Sequence, residues 1–111
     1  KSARLEHRTA DCAGNPYIQV AAVLQAAKLG VENGYKMPAE EKEDAVENVS
    51  TDRHVPASLG KAMDAVEKDT ALSKAMDELL TDNLLFMKRD EADRLSGKSQ
   101  DEIRDYYLPF I

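Results

Sequence analysis

Residues 15–34, with the sequence NPYIQVAAVLQAAKLGVENG, give the strongest indication of a helical fold. Asn15 can cap a helix, and Pro16 suits the first helical turn because proline lacks an amide hydrogen that would be left unpaired there. Apolar side chains then recur at steps of three and four residues, and Gly34 is typical of a helix end. Alanines fill much of the remaining surface, so we expect residues 15–33 to form a buried helix, covered on more than one face. The repeating apolar residues are Tyr17, Val20, Leu24, Ala27 and Val31.

Further helix starts are predicted in residues 58–108, which we expect to form a helical tail. Each start combines a capping residue with an apolar repeat behind it, and the last one has the serine-to-glutamate spacing of a capping box. Pro109 is expected to end the last helix. The predicted caps are Ser58, Asp69 or Thr70, Thr81 or Asp82, and Ser99.

Between these helical regions, residues 36–55 lose the helical period and concentrate acidic side chains. Blocks of like charge usually face water, so this segment is predicted to be a solvated acidic loop. One short helical turn within residues 41–47 is compatible with the pattern.

Residues 1–9 have a different period. In a strand, side chains alternate between faces, so Arg4, Glu6 and Arg8 would share one face. We therefore predict a mainly α chain with one N-terminal β-strand followed by about five helices. Because no second strand is predicted to pair with the first, we expect the chain to be a piece of a longer protein.

Composition narrows the function classes. The 111 residues carry 15 Lys and Arg against 21 Asp and Glu, a formal charge of −6, which disfavours binding to a nucleic-acid backbone. No apolar run approaches the length that spans a bilayer, so no membrane partner is expected. The single cysteine, Cys12, cannot form an internal disulfide and fits a cytoplasmic location.

The charged face of residues 1–9 has two interpretations when taken alone. Two cations flanking a carboxylate can form a solvated ladder of ion pairs, or they can bind an anionic ligand that carries a metal. The order of motifs favours the second. The sequence Arg4-Leu5-Glu6-His7-Arg8, followed by Asn15-Pro16-Tyr17 and later by Val55-Pro56-Ala57-Ser58-Leu59, resembles the glutamine synthetase family over essentially the whole chain.

This resemblance implies part of the α+β catalytic domain of an ATP-dependent ligase that makes a γ-glutamyl amide through a γ-glutamyl phosphate. By the resemblance, Arg4 is catalytic and contacts the phosphates of ATP, and Arg8 is catalytic and holds the substrate glutamate. Glu6 would bind a divalent metal, Mg²⁺ or Mn²⁺. The implied partners are glutamate, ATP and ammonia or an amine, in a homo-oligomeric ring of ten or twelve cytoplasmic subunits.

Two departures from the family pattern limit these implications. Thr9-Ala10 stands where many members have a proline, so the acceptor can be ammonia or another amine. The family's E-x-E metal strand and its glutamate loop are missing, so we expect the 111 residues alone to be inactive. The alternative is a non-catalytic helical interaction module derived from such an enzyme, binding a partner through its acidic loop and its apolar end, residues 106–111.

Overall fold

A computed structural model describes residues 2–11, 14–40, 42 and 54–110. This part of the chain is mainly helical. Its elements are α1 (Pro16–Glu32), α2 (Leu59–Lys68), α3 (Thr70–Ala75), α4 (Glu78–Leu95), α5 (Gln100–Tyr107) and a short 3-10 turn (Leu108–Phe110). Among the described residues, no helix is both long and apolar enough to span a membrane.

The prediction of an N-terminal β-strand is wrong. Residues 2–8 have no regular secondary structure, and no strand occurs anywhere in the described ranges. The physical reason is pairing: a strand exists through hydrogen bonds to a neighbouring strand, and alternation of side chains supplies none of these. The described chain is therefore mainly helical, with five helices and no strand before them.

Side-chain caps begin the helices largely where the sequence indicates. The Asn15 side-chain oxygen accepts from the amides of Tyr17 and Ile18 at 3.0 and 3.4 Å. Ser58 caps α2, Asp69 caps α3, and Ser99 forms a complete capping box with Glu102 at the start of α5. These contacts satisfy amide groups that have no partner within their own helix.

The start of α4 differs from the prediction, which placed the cap at Thr81 or Asp82. The cap is Asp77, whose side chain accepts from the amides at positions 79 and 80, at 2.9 and 3.3 Å. Asp77 has a positive φ of 80°, so the chain turns sharply between α3 and α4. Aspartate tolerates this conformation better than most residues do because its short side chain bonds locally.

The helices pack around a small core. Helix α3 packs against α1, α2 and α4, and α2 packs against α4 as well. Among the described residues only Met63 and Thr81 are buried, at 6% and 7% relative exposure. The Thr81 hydroxyl donates to the backbone oxygen of Asp77 at 3.0 Å, which ties the start of α4 to the turn before it.

Helix α1 presents a different face to its neighbours than its apolar repeat suggested. The half-buried positions include Ile18, Ala22 and Leu29, while Tyr17 is 85% exposed and Leu24 64% exposed. None of the residues of α1 is buried within this chain. An apolar stripe therefore stays uncovered along the helix.

The acidic segment lies mostly outside the described residues. Residues 36–40, 42 and 54–55 are described, and all of them are exposed and without regular structure. The short helical turn considered for residues 41–47 falls almost entirely outside the described ranges, and so does Cys12.

Candidate functional site

The N-terminal segment places three charged side chains together. The Glu6 carboxylate accepts from both neighbours: Arg8 Nε donates to its Oε1 at 2.7 Å, and Arg4 Nη2 donates to its Oε2 at 3.2 Å. The two guanidinium groups therefore bracket one carboxylate. We call this group the Arg4–Glu6–Arg8 cluster. The grouping that alternation predicted is present even though the strand is not.

This cluster is open to solvent. The side chains of Arg4 and Arg8 are 75% and 85% exposed, and that of Glu6 is 47% exposed. Exposed ion pairs contribute little to stability, because water solvates the separated charges almost as well. The geometry therefore leaves the two guanidinium groups free to exchange the Glu6 carboxylate for another oxyanion.

His7, which lies between Glu6 and Arg8, forms a separate contact with Thr9. Thr9 Oγ1 lies 2.8 Å from His7 Nε2, within hydrogen-bonding distance. Neither of these two residues has a hydrogen bond to the cluster among the contacts of the described residues. His7 is thus not one of the residues that bracket Glu6.

Guanidinium groups suit phosphate and carboxylate ligands, since their planar donors can form paired hydrogen bonds to two oxygens. A carboxylate suits Mg²⁺ or Mn²⁺, which prefer oxygen ligands. Glu6 is a single carboxylate, and no group of three or more metal-ligating side chains occurs within the described ranges. Glu6 can therefore supply one ligand of a metal site, not the whole site.

A second group of polar side chains joins α4 and α5 around a carboxylate that is largely shielded from water. Lys88 Nζ donates to Glu91 Oε2 at 2.7 Å, and the Tyr107 hydroxyl of α5 donates to Glu91 Oε1. The Glu91 side chain is 14% exposed. We call this group the Lys88–Glu91–Tyr107 cluster. No site was predicted at these residues from the sequence, in which the available signal is a Lys and a Glu at inward positions of the α4 repeat.

Shielding changes the acid–base behaviour of the second cluster. Burial is the largest influence on the pKa of Glu91 and raises it, but the hydrogen bonds from Lys88 and Tyr107 and the charge of Lys88 outweigh burial. The pKa of Glu91 therefore lies below its ordinary value of 4.5. The hydrogen bond to Glu91, with burial and the negative charge of Glu91, raises the pKa of Tyr107 to about 12.

An apolar cleft of about 250 Å³ lies between α1 and the following helices. Its polar side chains already make hydrogen bonds: Asp69 caps α3, and the hydroxyls of Ser73 and Thr81 donate to backbone oxygens. The cleft thus offers shape and apolar surface but no free polar group for chemistry. Its apolar lining includes Ile18, Ala22, Leu72, Met76, Leu80 and Leu84.

The amino-acid sequence of this chain is similar to those of glutamine synthetases. A family profile described as the glutamine synthetase catalytic domain matches residues 1–107. A glutamine synthetase of Mycolicibacterium smegmatis is 35% identical over alignments covering 81% of this chain and 22% of that protein. The corresponding values are 34%, 95% and 25% for glutamine synthetase of Mycobacterium tuberculosis H37Rv, and 27%, 96% and 25% for that of Staphylococcus aureus MW2. No solved structure gives a significant match.

The profile match over 107 residues assigns this helical chain to a segment of the catalytic domain of a ligase family. This chain belongs to the glutamine synthetase family. It spans about a quarter of the length of the curated relatives that it matches.

Proposed function

We propose that this chain contributes to an ATP-dependent ligase that joins the γ-carboxyl group of glutamate to ammonia or to an amine. The Arg4–Glu6–Arg8 cluster carries the proposal, because two guanidinium groups bracket a carboxylate in an open setting. Family membership supports the same class of reaction.

Within this proposal the two arginines have different roles. Arg4 contacts the phosphates of ATP, and Arg8 holds the substrate glutamate and its γ-phosphoryl group. Both roles need a fixed positive charge with several donors, which a guanidinium supplies at any working pH. The open position of both side chains supports the proposal, since neither is committed to a buried structural contact.

Glu6 fits as one oxygen ligand of Mg²⁺ or Mn²⁺, with its remaining ligands supplied by other groups of the enzyme, by water or by substrate phosphates. When bound, such a metal neutralises charge on the phosphate oxygens during transfer. Arg4 and Arg8 would then be released from Glu6 to bind anionic substrate oxygens on either side of it.

The proposed reaction has two steps. A γ-carboxylate oxygen of glutamate attacks the terminal phosphorus of ATP, the bond to ADP breaks, and γ-glutamyl phosphate forms. The amine nitrogen then attacks the acyl carbon, the bond to phosphate breaks, and the nitrogen gives up a proton. Arg8 would stabilise the charge that collects on the phosphoryl oxygens in both steps.

The acceptor is tested by a panel of amines. The complete polypeptide that contains this chain should release phosphate only when ATP, glutamate and an acceptor are all present. Ammonia, methylamine and a polyamine should be compared at equal concentration, and the acceptor with the highest kcat/KM assigns the substrate. Absence of phosphate release with every acceptor would overturn the proposal.

The 111 residues by themselves should be inactive. One carboxylate cannot complete a metal site, and the described residues contain no group of three or more side chains that could hold a metal ion. We expect no glutamate-dependent phosphate release from this polypeptide alone under conditions in which the longer enzyme turns over. Turnover by the isolated polypeptide would contradict this assignment.

A cytoplasmic ring of ten or twelve subunits is also part of the proposal. The exposed Leu108 and Phe110, at the apolar end of the described chain, are candidates for contacts between subunits. Replacing both with aspartate should reduce the mass measured by light scattering, whereas replacing the nearby exposed Asp105 with asparagine should not. An unchanged mass after the double replacement would remove this segment from the ring contacts.

A non-catalytic interaction module is the second candidate, favoured by the uncovered apolar stripe on α1. The two candidates differ in what the charged residues do. A module would keep its partner binding after Arg8→Gln, while the ligase would lose turnover. The same variant therefore separates them.

A further inference from the structure

The inward side of α4 changes character along the helix. Its half-buried positions begin with leucines, continue with Lys88 and Glu91, and return to Leu95. Removing charges from water costs free energy unless they are paired and hydrogen-bonded. The position of these two residues therefore calls for partners that satisfy both carboxylate oxygens.

Both oxygens of Glu91 are satisfied, but by different helices. Lys88, one turn earlier on α4, donates to Oε2 at 2.7 Å. The Tyr107 hydroxyl donates to Oε1 from α5. Lys88 thus holds the carboxylate in place on its own helix, and Tyr107 makes the connection between helices.

In the ranges that the structure describes, helix α5 makes few other contacts. Its half-buried positions are Ile103 and Tyr107, four residues apart on one face. Within the described part of the chain, its extensive contacts are with the 3-10 turn that follows it. The link from α4 passes through Gly97, whose φ of 74° favours glycine and allows a sharp change of direction.

We propose that the Tyr107–Glu91 hydrogen bond is a latch that holds α5 and the following 3-10 turn against α4. The latch determines the direction in which the exposed Leu108 and Phe110 point. The ring of Phe110 lies 6.1 Å from that of Tyr106, so the 3-10 turn moves together with α5. Opening the latch would release residues 100–110 as one unit about the Gly97 link.

The test measures amide hydrogen exchange in the complete polypeptide that contains this chain. Tyr107→Phe removes only the hydroxyl and keeps the ring. It should accelerate exchange of the α5 amides by about tenfold, as expected for losing a hydrogen bond to a charged group, and leave α2 and α3 unchanged. Tyr106→Phe is the matched control, because Tyr106 has no part in the contact with Glu91, and it should leave all helices unchanged.

A double-variant cycle makes the assignment specific to the pair. Glu91→Gln should also accelerate exchange in α5. The Tyr107→Phe/Glu91→Gln protein should exchange no faster in α5 than the more affected single variant, because both changes remove one contact. Unchanged α5 exchange in Tyr107→Phe, equal acceleration in all helices, or additive effects in the double variant would each overturn the latch.

Discussion

The two charged clusters use the same kind of group in opposite settings. In both, a glutamate carboxylate accepts one hydrogen bond on each oxygen. The Glu6 side chain is 47% exposed and its partners lie two residues away in the same segment. The Glu91 side chain is 14% exposed, and one partner comes from a different helix.

This difference distinguishes the proposed ligand site at Glu6 from the structural contact at Glu91. At Glu6, water and incoming anions can compete with the carboxylate for the two arginines, so these ion pairs can be exchanged. At Glu91, separating the partners would leave a shielded charge without compensation, which is far more costly. Both glutamates accept the same number of hydrogen bonds. The clusters differ in exposure, and the greater exposure of Glu6 and its arginines is the reason for proposing that they bind ligands.

Removing one charge from the Arg4–Glu6–Arg8 cluster should change activity more than any other substitution considered below. In the complete enzyme, Arg8→Gln or Glu6→Gln should lower kcat by about 10²–10³-fold, as when one donor to a developing oxyanion is removed. The melting temperature should change little, because exposed pairs contribute little to folding. Steady-state kinetics and thermal unfolding check both parts.

Arg94→Gln is the matched control for this prediction. Arg94 is also an exposed arginine in an ion pair, with Asp90 at 2.8 Å, but it lies on α4 outside the cluster. Its replacement should leave kcat unchanged. Equal losses in Arg8→Gln and Arg94→Gln would show that the cluster has no special role.

A substitution in the core should lower stability and leave kcat unchanged, the reverse of what is expected at the Arg4–Glu6–Arg8 cluster. Met63→Ala removes the buried methionine of α2 and should lower the free energy of unfolding by about 2–3 kcal/mol. Met87→Ala, on the exposed side of α4, should cost far less. Urea unfolding measures both, and kcat should be retained in each wherever the protein stays folded. Equal losses of stability would contradict the placement of Met63 in the core.

The Lys88–Glu91–Tyr107 cluster should make the free energy of unfolding depend on pH. The folded-state pKa of Glu91 is lowered, so its contribution is present above the ordinary value of 4.5 and is lost as pH falls through the folded-state value. The charged or titratable groups that face this contact are Lys88 on α4 and Tyr107, with Tyr106 beside it, on α5. The stability difference between wild type and Glu91→Gln should therefore shrink below pH 4.5.

At alkaline pH, ionisation of the Tyr107 hydroxyl should also lower the free energy of unfolding. The pKa of Tyr107 is raised from 10.0 to about 12, so its contribution is present below pH 10 and is lost as pH rises through about 12. Urea unfolding across both ranges, with Tyr107→Phe as reference, measures the effect. A difference between wild type and variants that stays constant with pH would contradict it.

The smallest effect is expected at an exposed pair between helices. Arg89 of α4 donates to Glu67 of α2 from Nε at 3.1 Å and from Nη2 at 2.5 Å. Arg89→Gln should lower the melting temperature slightly at low salt, and the difference should disappear at high salt because ions screen surface charges. A loss that persists in high salt would show that packing of the Arg89 side chain, not its charge, stabilises the contact.

The sequence predicted local features well and pairing poorly. Asn15, Ser58 and Ser99 cap helices as expected, because a cap depends only on residues within one turn. The start of α4 was misplaced, because Asp77 makes the turn with a positive φ that glycine more often adopts. The N-terminal strand was wrong because strands require partners, and alternation in one segment says nothing about them.

The two charged clusters also differ in how far their contacts could be predicted from the sequence. The Arg4–Glu6–Arg8 cluster joins residues two apart, so their grouping could be inferred from sequence, while their chemical roles remain a proposal. The contact between Glu91 and Tyr107 joins residues 16 apart on two helices. It depends on the direction in which α5 leaves the Gly97 link after α4, which no local pattern specifies.

Transfer of oxygen from glutamate to phosphate would report formation of γ-glutamyl phosphate at the Arg4–Glu6–Arg8 cluster. The complete enzyme should be supplied with glutamate labelled with ¹⁸O in the γ-carboxyl group, together with ATP and its amine acceptor. If γ-glutamyl phosphate forms at the Arg4–Glu6–Arg8 cluster, one labelled oxygen should appear in each phosphate released, and Arg8→Gln should slow labelling and amide formation equally. Amide formation without label in the phosphate would contradict the proposed chemistry, and undiminished labelling in Arg8→Gln would contradict the proposed site.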